Sequence, residues 1–311
     1  MSLAPFVQIV ARGKGRARAM TMAEAQAAMA LILNGDAAPE AVGALLMVMR
    51  LRGETADEIA GFTAALRAHV SGKMPKADLD WSSYAAGRSR GAPLFLLAAR
   101  LVGQAGYSVS MHGWNSHQST SASVREALDL AGPHVSYTPL ETFSPVAFDL
   151  LKLRDTFGLR SCFNTVLRMW NPSQALASVQ GVFHPSYRSL QAQAAAMLGQ
   201  AGLSIIKGGG GEFERLPSKA ITVFGLRDGR HNQETSGPIL QETRRLHEVG
   251  RAIDLRGLWQ GTVHDEFAVA TVTGTAALAL WTVKAVESLP NAQKMAENLW
   301  ATRHHHESLS A

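Results

Sequence analysis

Cysteine is almost absent from this chain: Cys162 stands alone, so an internal disulfide is impossible and a thiolate cage for a metal cannot be built, which suits a reducing compartment. No apolar run reaches ~18 residues, and the N-terminal stretch has no apolar core ahead of a cleavage site. Neither a membrane span nor secretion is therefore expected, and the cytoplasm is the expected location. There is no P-loop of the Gly-x4-Gly-Lys-Ser/Thr kind, no Cys-x-x-Cys pair and no repeat of fixed period. Acidic residues are the scarcer charge: 25 Asp and Glu stand against 30 Lys and Arg, giving +5 and a pI near 9.6. That balance favours an anionic partner, whether a phosphate ester, a nucleic acid or a membrane surface. With 46% apolar and 18% charged residues the chain is globular, and 311 residues can bury a large core. The tract His304-His305-His306 is given no role.

What is present is organised around Ile205 to Glu214, an apolar run that enters four glycines and leaves through two carboxylates. This pattern reads as a strand ending in a working loop. Glycines let backbone N–H groups approach an anion, and Lys207 adds a positive charge beside Gly208 and Gly209. Glu212 and Glu214, two apart on an extended backbone, would share a face and could hold a cation; a flexible turn with solvated charges is the alternative.

Ahead of it, Arg12, Lys14, Arg16 and Arg18 form a run of cations without a carboxylate, spaced by Gly and Ala. On an extended arm they would face a phosphate backbone together; otherwise they are a solvated arm. Thr21 with Glu24, Pro39 and Thr55 predict the starts of three helices, so residues 1–70 read as a helical bundle, to which part of a later helix could add. After a polar link over 71–80 the pattern changes. Helices are expected at Leu94 to Val102, Ser123 to Leu130, Ala147 to Leu153, Ser173 to Val179, Leu190 to Leu198 and Thr273 to Leu289, with strands at Tyr107 to Met111, Ser204 to Ile206 and Ile221 to Phe224. This alternation predicts an α/β fold: a small helical domain, 1–70, and a larger domain, 71–311, with a mostly parallel sheet flanked by helices. Ligands of such sheets lie beyond the carboxyl ends of the strands, where Met111-His112-Gly113 and Lys207 to Glu214 fall.

Three segments carry a family resemblance: Gly43 to Arg50 with Gly53-Glu54-Thr55 and Glu58 to Phe62; Phe157-Gly158-Leu159-Arg160-Ser161-Cys162-Phe163-Asn164 followed by Asn171-Pro172; and His112-Gly113. In these the chain resembles glycosyltransferase family 3, the fold of anthranilate phosphoribosyltransferase and the pyrimidine nucleoside phosphorylases. The resemblance implies a phosphoribosyl pyrophosphate site, with magnesium if the protein is active, and a homodimer. It also marks departures. The family's Gly-Thr-Gly-Gly-Asp loop would fall near Ser83-Tyr84-Ala85-Ala86-Gly87, its Asn-x-x-Asn segment near Arg90-Gly91-Ala92-Pro93, the lysine of its Lys-His-Gly motif on Met111, and its Asp-Glu magnesium pair on Phe213-Glu214. Glu212 is a possible substitute ligand.

The arm and the glycine loop are also similar to a paralogue group of anthranilate phosphoribosyltransferase. That likeness implies a degenerate phosphoribosyl site and a basic groove for single-stranded DNA or RNA, lined by Arg12, Lys14, Arg16, Arg18, Arg88, Arg90, Lys207, Gly208 and Gly209. A residual substrate site would hold His112, Gly113, Ser119, Arg160 and Asn164. His112 reads either as an acceptor contact or as a structural histidine, and Arg160 either as an anion binder or as a partner of Asp155 or Glu141. Trp114 and Tyr84 are candidates to stack bases, while Trp170 is expected in the core. The alternatives are an active pentosyl transferase with an unknown acceptor and a structural partner in an assembly.

Overall fold

The computed structural model describes residues 2–13, 15–70, 74–84, 91–114, 123–242, 244 and 253–304. Four helices open the chain: α1 (Ala4–Ala11), α2 (Met22–Leu33), α3 (Pro39–Arg52) and α4 (Ala56–His69). Thr21 with Glu24 and Thr55 with Glu58 form complete capping boxes, each satisfying two of the N–H groups a helix start leaves open. Glu58 does more than cap. Fully buried, it also accepts from Met20 N at 2.9 Å and from Arg52 at 2.6 Å and 2.7 Å, tying the entry to α2 and the exit of α3 to the start of α4. A Cβ on Gly61 would lie 2.3 Å from the Met22 carbonyl, so the close crossing of α4 on α2 requires glycine there.

Seven strands build one sheet: β1 (Leu79–Ser83), β2 (Val109–Gly113), β3 (Val135–Pro139), β4 (Ala177–Val182), β5 (Gly202–Lys207), β6 (Ile221–Arg227) and β7 (Arg230–Ser236). Their order is β3-β2-β1-β4-β5-β6-β7. The first five are parallel, and β6 and β7 return antiparallel as the edge. The connecting helices are α5 (Leu94–Gln104), α6 (Leu140–Phe143), α7 (Pro145–Phe157), α8 (Phe163–Arg168), α9 (Tyr187–Met197), α10 (Leu255–Gln260), α11 (Glu266–Thr282) and α12 (Leu289–Ala301). On one face of the sheet the bundle shares a core with α7, α8 and α9, through Phe62, Leu66, Phe163, Leu167 and Ile205. On the other, α5, α11 and α12 cover Trp81, Met111, Val179 and Ile206. The strand order reverses around β1, between β2 and β4, which is where parallel sheets of this kind open a crevice at their carboxyl ends.

Three expectations need correction. The segment expected as a helix from Ser123 is a series of turns ending in a 3-10 turn at Leu128–Ala131. The segment expected as a helix from Ser173 runs into β4, an interior strand buried along its whole length, where small residues fit between two helical layers. The long final helix ends at Thr282 and a second one begins at Leu289. Among the described residues no helix is long and apolar enough to cross a membrane.

Candidate functional site

The glycine loop after β5 is built for contact with its own chain. Lys207 is exposed at the strand end, and residues 209–211 form a short 3-10 turn in which Gly210 and Gly211 have φ of 63° and 89°. A Cβ on Gly208 would fall 1.6 Å from the Glu212 carbonyl oxygen, and one on Gly181 of β4 would fall 2.1 Å from the Glu212 carbonyl carbon. The glycines therefore let the loop fold tightly over β4. This packing buries Glu212, Phe213, Glu214 and Arg215. Phe213 lies edge-on to Trp81, 5.4 Å between ring centroids, inside the core. The Glu214 Oε2 accepts from Phe95 N at 3.0 Å, at the N-terminal end of α5.

These residues do not fit a magnesium ion. The position that the resemblance gives to a first carboxylate is a phenyl ring in the core, and one Glu214 oxygen is taken by a helix start. Among the described residues no group of three or more His, Cys, Asp or Glu could hold a metal.

His112 is likewise enclosed. At the end of β2 it is fully buried, its Nδ1 2.7 Å from the Tyr84 hydroxyl and its Nε2 3.2 Å from Asp80 Oδ1, a close contact without hydrogen-bond alignment. Asp80 in turn accepts from Ser178 Oγ at 2.8 Å. Burial, first, and then the neighbouring Tyr137 and Asp80 raise the Tyr84 phenol well above its ordinary pKa, so it stays a neutral hydroxyl. Gly113 is required by packing, since a Cβ there would lie 1.9 Å from the Ser83 carbonyl oxygen. Thus His112 and Gly113 belong to the packed β1–β2 end.

A cleft of about 230 Å³ opens instead between the C-terminal end of α3, the segment from Gly158 through α8, and the carboxyl end of β4. Arg50, Arg160, Arg168 and His184 line it, and none of its lining residues is a carboxylate. Arg160 is exposed; Asp155 and Glu141 are engaged by Arg154 and Arg125, so neither expected pair with Arg160 forms. Desolvation, then repulsion from Arg154 and Arg50, holds the Arg160 guanidinium below its ordinary pKa. Arg168 forms the floor. It is buried, its Nη1 donates to the Asn164 carbonyl at 3.1 Å, and its Nη2 has no partner among the described residues. Burial and then Arg160 lower its pKa, opposed by the nearby Glu212 carboxylate. Arginine nonetheless remains charged. Asn164 also lines this cleft. Arg168, the last residue of α8, was missed in the sequence.

Trp114, Trp170 and Tyr84 are all buried and offer no face to a base; the exposed aromatic at the cleft is Phe183, 48% accessible. On the arm, Arg12 and Arg16 are exposed, whereas Arg18 forms a bidentate pair with Glu24, 2.6 Å on each arm of the fork. Lys14, Arg88, Arg90 and Ser119 lie outside the described residues. Asp265, in the His264-Asp265-Glu266 triplet, caps α11 and pairs with Arg244 at 2.8 Å.

Comparison with known proteins adds the following. A family profile described as "Glycosyl transferase family, helical bundle domain" matches residues 7–70. An anthranilate phosphoribosyltransferase of Azorhizobium caulinodans is 30% identical over 271 residues, 79% of each chain. One from Bordetella pertussis is 26% identical over 298 residues, covering 86% of this chain and 85% of the relative. With the Symbiobacterium thermophilum enzyme of the same name the match is 30% over 223 residues and spans 64% of that relative's length. Among solved structures, anthranilate phosphoribosyltransferase from Thermus thermophilus superposes with a TM-score of 0.72 at 22% identity, covering 92% of both chains. The Saccharomyces cerevisiae enzyme in complex with PRPP and Mg gives 0.71 at 17% identity, covering 99% of this chain and 95% of that one. Both structural likenesses speak for the fold alone.

Proposed function

The chain belongs to the anthranilate phosphoribosyltransferase-like proteins of glycosyltransferase family 3, and we propose that it has kept their fold while replacing their transfer chemistry with the binding of single-stranded nucleic acid. The observation that carries this proposal is a cleft lined by three arginines and a histidine with no carboxylate, beside a loop whose magnesium position is a buried phenylalanine. A solved relative is described as holding PRPP and Mg. The resemblance puts Phe213 where a magnesium carboxylate would stand, while a phosphate entering the cleft meets guanidinium groups. Arg12, Arg16 and Lys207 are exposed and extend the positive surface, and the sequence carries further cations at Lys14, Arg88 and Arg90.

A homodimer goes with this proposal: Leu51, 90% exposed at the end of α3, and the half-buried Phe6 and Val7 of α1 leave apolar surface on the bundle. A cytoplasmic location suits the single buried Cys162. One observation favours an active pentosyl transferase instead, namely that Arg160 and Asn164 line the cleft in which an acidic aromatic acceptor would fit. A turnover assay separates the two. With anthranilate, phosphoribosyl pyrophosphate and magnesium, no consumption of anthranilate is expected, together with salt-sensitive binding of an oligonucleotide. Turnover that depends on Arg160 would establish the transferase.

A further inference from the structure

We propose that the arginine cleft is a nucleoside phosphomonoester pocket, seating the phosphate on Arg168 and Arg160 and the base against Phe183. For a strand as the ligand this rests on the nucleic-acid function proposed above; the chemistry itself is that of any nucleoside monophosphate, free or at a strand end.

Burying a guanidinium with an unfilled donor is costly, and the open Nη2 of Arg168 is completed by an anion entering from the cleft. Planar guanidinium groups match phosphate oxygens in pairs, and Arg50 and Arg160 stand near enough to one another to repel. A phosphomonoester carries about −1.5 to −2 charge at neutral pH against about −1 for a diester, so three arginines in a cleft with no carboxylate in its lining, with Glu212 the nearby carboxylate acting on Arg168, favour the monoester. The cleft is also small. Its volume of about 230 Å³ accommodates a phosphate and sugar, and its floor is closed by Arg168 and Asn164, only 6% and 8% accessible. The base would lie at the rim, where Phe183 is 48% accessible and meets His184 edge-on at 4.9 Å. A half-exposed aromatic beside a cationic pocket is the arrangement on which a terminal base stacks.

The test uses the full chain and a short fluorescent single-stranded oligonucleotide bearing a 5′-phosphate, a 3′-phosphate or only hydroxyl ends, with AMP as a separate ligand. One phosphorylated end should bind at least about tenfold more tightly than the hydroxyl-ended strand, as expected for one added charge-assisted contact. Arg168→Gln should remove that preference and Arg168→Lys should restore part of it. If the Gln variant does not fold, Phe183→Ala at the exposed rim should still weaken the phosphorylated strand severalfold, about the worth of one base stack. Equal affinity of the wild-type protein for all three strands would overturn the pocket and leave salt-sensitive nucleic-acid binding standing. AMP binding that Arg168→Gln abolishes, with no strand bound, would support the pocket and refute the nucleic-acid function. No binding of AMP or of any strand would overturn both.

Discussion

Replacing Phe213 by Asp would rewrite the residue that stands where the family places a magnesium carboxylate, and the geometry says that the protein will not tolerate it. Phe213 has no accessible surface and packs edge-on against Trp81 in the core. Removing a buried phenyl ring costs about 3–5 kcal/mol through lost burial and the cavity left behind. The introduced carboxylate would then be buried between Glu212 and Glu214, adding at least ~1–3 kcal/mol for an unsatisfied polar group before any like-charge repulsion. The total, about 4–8 kcal/mol, is comparable with the whole stability of a typical domain, about 5–15 kcal/mol. Phe213→Asp should therefore be largely unfolded or insoluble, whereas Phe213→Leu should lose only about 1–2 kcal/mol. Urea unfolding of wild type and the Leu variant, with and without magnesium, gives the measurement, provided the slopes agree. A Phe213→Asp protein within ~1 kcal/mol of wild type whose unfolding midpoint rises with magnesium would show that this position faces a working site, and would refute the account of the loop as core.

Three further outcomes are expected. Arg12→Ala and Arg16→Ala should each flatten the salt dependence of oligonucleotide binding by about 0.7 for each phosphate no longer engaged, while Arg18→Ala should not, because Arg18 is held by Glu24; equal slopes for all three would remove the arm from the binding surface. The Glu24 carboxyl, lowered from 4.5 to about 2 first by Arg18 and then by the Thr21 backbone, should contribute stability that is complete above pH 4.5 and lost as the pH falls toward about 2. With Arg18 half exposed the effect should stay under ~1 kcal/mol, and Glu24→Gln should abolish it; a Glu24 carboxyl titrating near 4.5 by NMR would contradict the pair. Gly181→Ala should cost about 1–3 kcal/mol in urea unfolding, because its Cβ meets the backbone of Glu212, and an unaffected midpoint would mean that the loop does not pack there.

The helical bundle was legible because its signals are local. Thr21 with Glu24, Pro39 and Thr55 are start signals written within one turn, and each helix begins where they place it. The sheet was legible only in part. β5 and β6 carry apolar runs, but β1 has Leu79 and Trp81 alone among polar neighbours, β4 is a run of small residues that periodicity cannot tell from a helix, and β7 is a polar edge strand. Departures from the family's motifs could be seen in the sequence, while their physical meaning could not. That Phe213 belongs to a core, that His112 is enclosed between Tyr84 and Asp80, and that Arg168 faces a cavity are facts about residues far apart in the chain. Arg160 and Asn164 could be placed from the motif in which they stand, and both line the cleft; Arg168 ends the helix that holds Asn164 but matched no known pattern.

The central claim is that a polyanion, and not a magnesium pyrophosphate, is the ligand of this fold. It is tested most directly by the affinity of the full chain for a fluorescent single-stranded oligonucleotide across a series of salt concentrations, repeated with phosphoribosyl pyrophosphate and magnesium as competitor. The account predicts tight binding at low salt that weakens steeply, with a logarithmic slope of about −0.7 for each phosphate engaged, and no magnesium requirement. Absence of oligonucleotide binding at low salt, with phosphoribosyl pyrophosphate bound only when magnesium is present, would contradict it.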